Sequence, residues 1–265
     1  MGNSDPFLTY LKSFGYSVVR LPRTDIRPLQ VLVKEETRLT RLGDLETILR
    51  PGAQVPLPRV KENVAAASIS GGRTHDLGIG VGLTILGSVI GAMGGSRLGL
   101  DLGYKNAKTA TFEFADVLED RVDLAAIDQY LTNADISAFS SHAARLLEAD
   151  SIYVTVSTIK SRKFIVQAKE SSGAPVELKL PEIQKVVGAT VKVSAARTAE
   201  SGIAYEGAEP LVFGFQAARL FYENGRYTSF APMRPGDGAL ESLGSGDGRA
   251  DFLVTESPFV RLDIA

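Results

Sequence analysis

Residues 77–96 read LGIGVGLTILGSVIGAMGGS, twenty positions without one charged side chain. A run like this has to end up against protein or lipid, because its large apolar groups are disfavoured in water. Its glycines narrow the choice further. Seven of the nineteen residues from 77 to 95 are glycine, and each disfavours a helix interior by about 1 kcal/mol relative to alanine.

Three structures compete for the segment. A single transmembrane helix needs at least about 17 apolar residues, so the length barely suffices. The glycines weaken both the helix and its partitioning, and one span would leave the strand-rich remainder unexplained. A nucleotide-binding glycine loop is suggested by Gly78, Gly80 and Gly82. That fingerprint wants its next glycine where Leu83 stands, and no Lys-Ser or Lys-Thr pair closes a phosphate loop. A β-hairpin fits the periodicity. Leu77, Ile79, Val81, Leu83 and Ile85 alternate with Gly78, Gly80, Gly82 and Thr84. Past Gly94-Gly95 the alternation resumes, with Leu98, Leu100, Leu102 and Tyr104 against Gly99, Asp101, Gly103 and Lys105. Nine residues of strand reach about 30 Å, the thickness of a bilayer's hydrocarbon core. One greasy face and one small or polar face is the pattern of a membrane β-barrel strand. The same alternation also covers the cores of soluble proteins, and in a soluble form residues 83–92 fit a buried helix.

The flanking sequence is mostly strand. Residues 5–16 suit a short amphipathic helix, capped by Asp5 with Pro6 at its first position and stopped by Gly15. YSVVRLPR (16–23) and DIRPLQVLVK (25–34) read as strands, and the prolines at 51, 56 and 58 make 42–61 a loop or edge region. Apolar spacing at Val117, Leu118, Val122, Ala125, Ile127 and Leu131, then at Phe139, Ala143, Leu146 and Leu147, predicts two helices across 115–150, joined near 133–135. Residues 151–230 return to period two. Ile152, Val154 and Val156 alternate, as do Phe164, Val166 and Ala168; Val176, Leu178 and Leu180; Val191, Val193 and Ala195; and Leu211, Phe213 and Phe215. They predict an antiparallel sheet with one wet face. Strands, then helices, then strands give an α+β fold.

A different composition begins near residue 235. PGDGALESLGSGDGRA (235–250) holds five glycines and no sizeable apolar run, the mark of a flexible linker. The following DFLVTESPFVRLDIA is too apolar for a free tail, so Phe252, Leu253, Phe259, Val260 and Leu262 are expected to dock on the body. The chain therefore divides into a body at 1–234, a linker at 235–249 and a tail at 250–265.

Several function classes are excluded or unsupported. A net charge of −2 gives no field toward nucleic acid. Residues 1–41 carry a local net charge of +3, from seven Lys/Arg against four Asp/Glu, suited to a solvated face or to anionic head groups. Without cysteine there are no disulfides, thiolate metal sites or cysteine nucleophiles. Met1-Gly2 opens like an acylation motif, but Pro6 stands where Ser or Thr is needed, and the first residues lack the pattern of a secretion signal. His75 and His142 are the only histidines, and neither belongs to a metal or triad spacing. Asp116, Glu119, Asp120 and Asp123 read as the solvated acidic face of a helix. Ser140-Ser141-His142 is adjacent in sequence, but a nucleophile and base need spatial pairing and an orienter that adjacency does not supply, and no enzyme signature or cofactor motif is present.

DPFLTYLKSFGYSVVRLPRTDIRPLQVL (5–32) resembles the opening of bacterial gasdermins. The glycine-rich stretch at 77–103, the strand region at 150–220 with EPLVFGFQAARLFY, and the short apolar tail after a glycine-rich linker are also similar to that family, so the resemblance covers essentially the whole chain. It implies a twisted central antiparallel β-sheet with peripheral α-helices, kept as an inactive cytoplasmic monomer by a short C-terminal autoinhibitory tail. It further implies a partner protease, often caspase-like, that cuts the linker. The body then assembles with lipids into a homo-oligomeric ring in the cell's inner membrane, and the pore kills the infected cell as an antiphage defence. Cut-site candidates in the linker are Leu243-Gly244, Asp247-Gly248 and Arg249-Ala250. Two segments, 64–110 and roughly 152–195, are expected to become membrane hairpins, the first with Leu77, Ile79, Val81, Leu83, Ile85, Leu98, Leu100 and Leu102 toward lipid. Many members also carry a fatty-acylated cysteine near the N-terminus. Here that neighbourhood is Met1-Gly2-Asn3-Ser4, so lipidation of a cysteine is impossible: either this member does without it and its self-inhibition rests more on the tail, or the chain differs from its natural parent at a site such as Asn3. The alternative is a soluble α+β scaffold that binds a protein partner through its C-terminal tail.

Overall fold

The computed structural model describes residues 11, 15–35, 38–50, 55–71, 73–74, 76–136, 141–196, 202–232 and 251–253; at 18, 20, 21, 35, 38, 40, 141, 142 and 251–253 it describes backbone alone. Its strands are β1 (Ser17–Arg23), β2 (Gln30–Glu35), β3 (Arg38–Asp44), β4 (Leu49–Arg50), β5 (Val60–Ala65), β6 (Leu77–Gly78), β7 (Thr109–Ala115), β8 (Leu118–Val122), β9 (Asp135–Ile136), β10 (Ile152–Lys169), β11 (Lys192–Ala195), β12 (Gly202–Glu223), β13 (Arg226–Pro232) and β14 (Asp251–Leu253). The helices are α1 (Leu45–Ile48), α2 (Ile79–Ala92), α3 (Leu100–Gly103), α4 (Leu124–Asn133), α5 (Ser141–Glu148) and α6 (Leu180–Val187).

Two long strands organise everything else. β10 has 18 residues and β12 has 22, against a usual strand length of about 5–6. They pair antiparallel from Tyr153↔Arg219 to Gln167↔Gly202, with register shifts between Thr155 and Ser157, Ile159 and Lys160, and Ser161 and Lys163. Such irregularities bend and twist a strand, which lets strands this long curve instead of running flat. β12 carries β1, β11 and β13. The other edge of β10 is shared in turn by β2, β8 and β7. The path β1-β12-β10-β2-β3-β14 belongs to one sheet of 12 strands, and β4 pairs with β9 separately.

Cores form at both ends of this ribbon. At one end Ile152, Val154 and Val156 of β10 meet Ile127, Tyr130 and Leu131 of α4, Leu147 of α5 and Leu220 of β12. At the other, Phe164, Val166 and Ala168 meet Leu86, Val89 and Ile90 of α2, Ile183 and Val187 of α6 and Tyr205 of β12. Both period-two triplets of β10 therefore face a core as their spacing predicts. The expected wet face does not exist on β10, where Thr155, Ser157, Thr158 and Ser161 are also buried. Packing on both sides of the strand overrides the alternation.

Two other expectations change. Residues 118–122 are strand, not helix; only the second part of the 115–150 pattern is helical, as α4 and α5. β7 and β8 run along β10 in succession, Ala115 opposite Lys163 and Leu118 opposite Lys160. Between them Asp116 turns the backbone at φ 52°, a conformation that Asp tolerates better than most residues. Ser161 Oγ donates to the Ala115 carbonyl and fills the gap. Val176, Leu178 and Leu180 do not form a strand; Val176 is buried in the far core and Leu180 begins α6, where Pro181 suits the first turn. The N-terminal helix expected at 5–16 lies mostly outside the described residues.

At the middle of the ribbon, Gly214 sits opposite Ile159, and a Cβ added there would lie 2.7 Å from Ile159 Cδ1. Ile159 is fully buried, so it has nowhere to swing. Gly214→Ala is expected to destabilise the fold by about 1–3 kcal/mol, read as a lower midpoint of urea unfolding; an unchanged midpoint would show that the strand crossing is not tightly packed.

Candidate functional site

The uncharged run is held as a helix and a turn. Only Leu77–Gly78 is strand, paired with Ala110 and Thr109 of β7. α2 then takes Ile79–Ala92 and carries Gly80, Gly82, Gly87 and Gly91 within it. Four glycines cost about 1 kcal/mol each relative to alanine, and Gly78 gives the helix no side-chain cap. Local preference therefore does not explain the helix; packing does. Leu86, Val89 and Ile90 are buried against the sheet. Gly82 lets α2 approach β7 so closely that a Cβ there would lie 3.0 Å from Ala110 Cβ. Thr84 and Ser88 turn their hydroxyls back onto the carbonyls of Gly80 and Thr84.

After α2 the chain turns through Met93–Gly95, with Gly94 at φ 80°. Met93 packs over Gly207 of β12, where an added Cβ would lie 2.8 Å from Met93 Cγ. The turn leads to α3 and to Tyr104, which is buried with its hydroxyl 2.6 Å from that of Tyr205. Burial pushes both hydroxyls well above the ordinary tyrosine range. Tyr205 also stacks on Phe164, with ring centroids 5.2 Å apart. The pair is thus a polar contact inside an apolar core.

The eight positions expected to face lipid divide in this state. Leu77, Ile79, Leu83 and Ile85 are partly buried against the far core, and Leu100 is buried within it. Val81 is half-buried. Leu98 and Leu102 stand in solvent, 82% and 71% exposed. The period-two faces do not survive as faces here, because a helix redistributes alternate residues around its axis. No helix among the described residues is long and apolar enough to cross a membrane.

The second segment is held similarly. β10 runs to Lys169, a turn follows, α6 packs into the far core through Ile183 and Val187, and β11 pairs with β12. Gln184 of α6 anchors the return: its amide nitrogen donates to the carbonyls of Gly188 and Val191, and its oxygen accepts from Val193 N–H.

The acidic cluster is neither on a helix face nor an acid/base pair. Glu119 accepts from Tyr16 Oη at 2.7 Å and from Ser157 Oγ at 2.9 Å. Asp120 pairs with Lys160 and accepts from Asn63 N–H at 2.7 Å. Asp123 caps α4 through Ala125 N–H, and Asp116 pairs with Lys163 at 3.6 Å. All four serve structure. A cavity of about 650 Å³ beside β11 is lined by Glu113, Lys163, Lys192 and Glu206, charges of both signs in no catalytic arrangement. Among the described residues no group of His, Asp or Glu is placed to hold a metal ion. His75, Ser140 and the side chains of Ser141 and His142 lie outside them.

At the C-terminus β14 adds to the sheet beside β3, with Asp251, Phe252 and Leu253 opposite Thr40, Leu39 and Arg38. The cut-site candidates Leu243, Gly244, Asp247, Gly248, Arg249 and Ala250, the tail residues Phe259, Val260 and Leu262, and Asn3 lie outside the described residues. Sequence reasoning missed Tyr104 with Tyr205, Gly207 and Gln184. Only contacts between distant parts of the chain give them meaning, and no local pattern marks them.

The family model of the Bacterial Gasdermin Family matches residues 19–226 of the chain. Gasdermin bGSDM of a Desulfuromonadales bacterium is 57% identical over 97% of this chain and 97% of its own length. Gasdermin bGSDM of Lysobacter enzymogenes is 42% identical, covering 94% of this chain and 92% of that protein. The solved bacterial gasdermin from Bradyrhizobium tropiciagri shares the fold with a TM-score of 0.60, at 16% identity over 86% of this chain and 92% of that one.

Burial raises Tyr16, Tyr205 and Tyr222 above the ordinary value of 10.0, and Tyr130 to about 12. The unfolded chain ionises its tyrosines near pH 10 while the folded chain keeps these protonated. Stability fully present below about pH 10 is therefore lost as the pH rises through 10 toward 12 and beyond. The urea midpoint is expected to fall between about pH 9 and about pH 11; a flat profile would mean the hydroxyls reach solvent.

Proposed function

The chain belongs to the bacterial gasdermin family, and from that premise we propose that it is a pore-forming protein held inactive by its tail, residues 250–265. The observation that carries the reading is the double character of residues 77–105. Their sequence alternates as a bilayer strand requires, yet the folded chain keeps them as a glycine-bearing helix and a turn. A segment with weak helix preference and a strong strand pattern is suited to two conformations of similar free energy.

In this reading the inactive chain is a cytoplasmic monomer. A protease cuts the linker between 235 and 250, and the pocket of that protease selects among Leu243-Gly244, Asp247-Gly248 and Arg249-Ala250. Cutting removes the effective concentration that tethering supplies, so the tail becomes a dissociable peptide. Each of Phe252, Leu253, Phe259, Val260 and Leu262 contributes roughly 1.5–3 kcal/mol if fully buried, enough for a few of them to hold the tail. The edge strand at 251–253 supports this reading, because an occupied edge cannot pair with another chain.

Once freed, the body at 1–234 assembles into a ring in the inner membrane, and 64–110 and roughly 152–195 refold as hairpins. In lipid a lone hairpin leaves edge N–H and C=O groups unsatisfied. Insertion therefore requires the closed ring, and the chain has no use for a catalytic residue. Death of the permeabilised cell is the output, which suits defence against phage.

Dye release from anionic liposomes tests the reading. A chain ending near Arg249 is expected to leak dye while the full chain does not. The uncut double variant Phe252→Ala plus Phe259→Ala is expected to leak as well; a double variant as inert as the full chain would remove the tail from the lock. If neither length leaks, the chain is better described as a scaffold binding a partner through its tail.

A second outcome concerns lipid contact. Arg or Lys on the lipid face at mid-bilayer costs about 2–4 kcal/mol, Asp less. Val81→Asp in the truncated chain is accordingly expected to slow leakage severalfold or more, and normal leakage would argue against lipid contact at that position.

A further inference from the structure

The two segments assigned to the membrane are locked to each other as well as to the sheet. Gly95, Gly99 and Gly103 recur every fourth residue and all meet α6 or the turn that follows it. A Cβ at Gly95 would lie 2.7 Å from Val191 Cγ2 and 3.0 Å from the Val187 carbonyl oxygen. At Gly103 it would lie 3.2 Å from Ile183 Cγ1, and at Gly99 3.8 Å from Val186 Cγ2. Gly99 also takes φ 87°, a conformation that side chains beyond hydrogen resist. Two hydrogen bonds cross the same seam. Ser96 N–H donates to the Val187 carbonyl at 2.9 Å, and Thr190 Oγ1 donates to the Gly94 carbonyl at 2.8 Å.

Each side of the seam depends on the other. The turn at 93–99 has few internal backbone bonds, so Ser96 N–H and the Gly94 carbonyl find partners in the second segment. On the other side, Val187 and Val191 are fully buried, and the backbone of Gly95 forms part of their cover. Withdrawing either segment uncovers apolar surface and breaks hydrogen bonds on the one left behind.

We propose that the glycine seam makes residues 79–103 and 180–191 one cooperative unit, so that neither segment leaves the sheet without the other. Its functional consequence rests on the pore-forming reading: both hairpins of a subunit become available in one step, which avoids a half-inserted chain with unpaired edges in lipid. The glycines serve both states. In the soluble fold they admit close approach of α6, and in a strand Gly99 and Gly103 fall on the face away from Leu98, Leu100 and Leu102.

Hydrogen exchange on the full-length chain tests the coupling without reference to pores. Gly95→Ala forces a Cβ into Ile90 of its own segment and into Val191 and Val187 of the other, so the coupling is read at amides of both segments away from these contacts. The variant is expected to speed exchange about tenfold in both 79–103 and 180–191, while α4 is unchanged. The reciprocal variant, Thr190→Val, removes only the hydroxyl bond to Gly94 and is expected to speed exchange in both segments by about threefold or more. Acceleration confined to the substituted segment in either variant overturns the proposal. If Gly95→Ala does not fold, Thr190→Val and the milder Gly103→Ala decide.

A disulfide staple links the coupling to leakage. A Cβ built on Gly94 would lie 4.0 Å from Thr190 Cβ, within the range a disulfide spans; the φ of 80° at Gly94 strains a side chain there equally in the reduced and the oxidised pair, so the two redox states of one variant are compared. The chain has no cysteine, so Gly94→Cys with Thr190→Cys gives a single pair. In the chain ending near Arg249, the reduced pair is expected to leak and the oxidised pair to leak at least about tenfold more slowly. Equal leakage in both redox states overturns the requirement that the seam open. If the cysteine-free truncated chain does not leak, the pore reading fails, while the exchange result still decides the coupling.

Discussion

The antiparallel ladder between Ile152–Lys169 and Gly202–Glu223 is the interaction on which the rest of the structure depends. On the main path β1 and β2 join this pair directly, β3 through β2, and the edge strand 251–253 through β3 and β2. Because the ladder is so long, one ribbon supports two cores. Helices α4 and α5 bury themselves at one end, α2 and α6 at the other. Residues 79–103 and 180–191 sit on one core, while β10 itself enters both, through Ile152, Val154 and Val156 at one end and Phe164, Val166 and Ala168 at the other.

Glycine acts differently at each place where it occurs. Gly214 admits Ile159 at the crossing of the long strands. Gly82 admits the sheet under α2, and Gly207 admits Met93. Gly95 and Gly103 admit α6. Residues that weaken the helix as a local structure thus strengthen its docking, since a helix without side chains at the contact approaches closely enough for dispersion to be effective. The result is a segment held by its surroundings rather than by its own propensity, and its stability changes when its surroundings change.

The charged groups have the opposite character. Glu119, Asp120 and Asp123 looked like an exposed acidic face, but they hold Tyr16, Lys160 and the start of α4. A carboxylate that accepts from several fixed donors is a fastener.

Several features were settled by the sequence alone. The period-two triplets at 152–156 and 164–168, the helical spacing at 124–131 and the strand pattern near 17–34 are local, and each reports which side of a short element is covered. The absence of charge at 77–96 likewise required burial whatever the conformation. Tertiary structure decided the rest. Residues 118–122 became strand because β10 offered a vacant edge, and 180–187 became helix because Ile183 and Val187 had a core to fill. At 77–85 alternation predicts a strand and glycine disfavours a helix, yet the helix begins at Ile79 and takes in the 83–92 stretch that also fitted a buried helix. The energy that holds it comes from partners distant in the chain, Ala110 and Phe112 beside Gly82 and the core that includes Val187, Val191 and Tyr205, and no reading of a local window contains them.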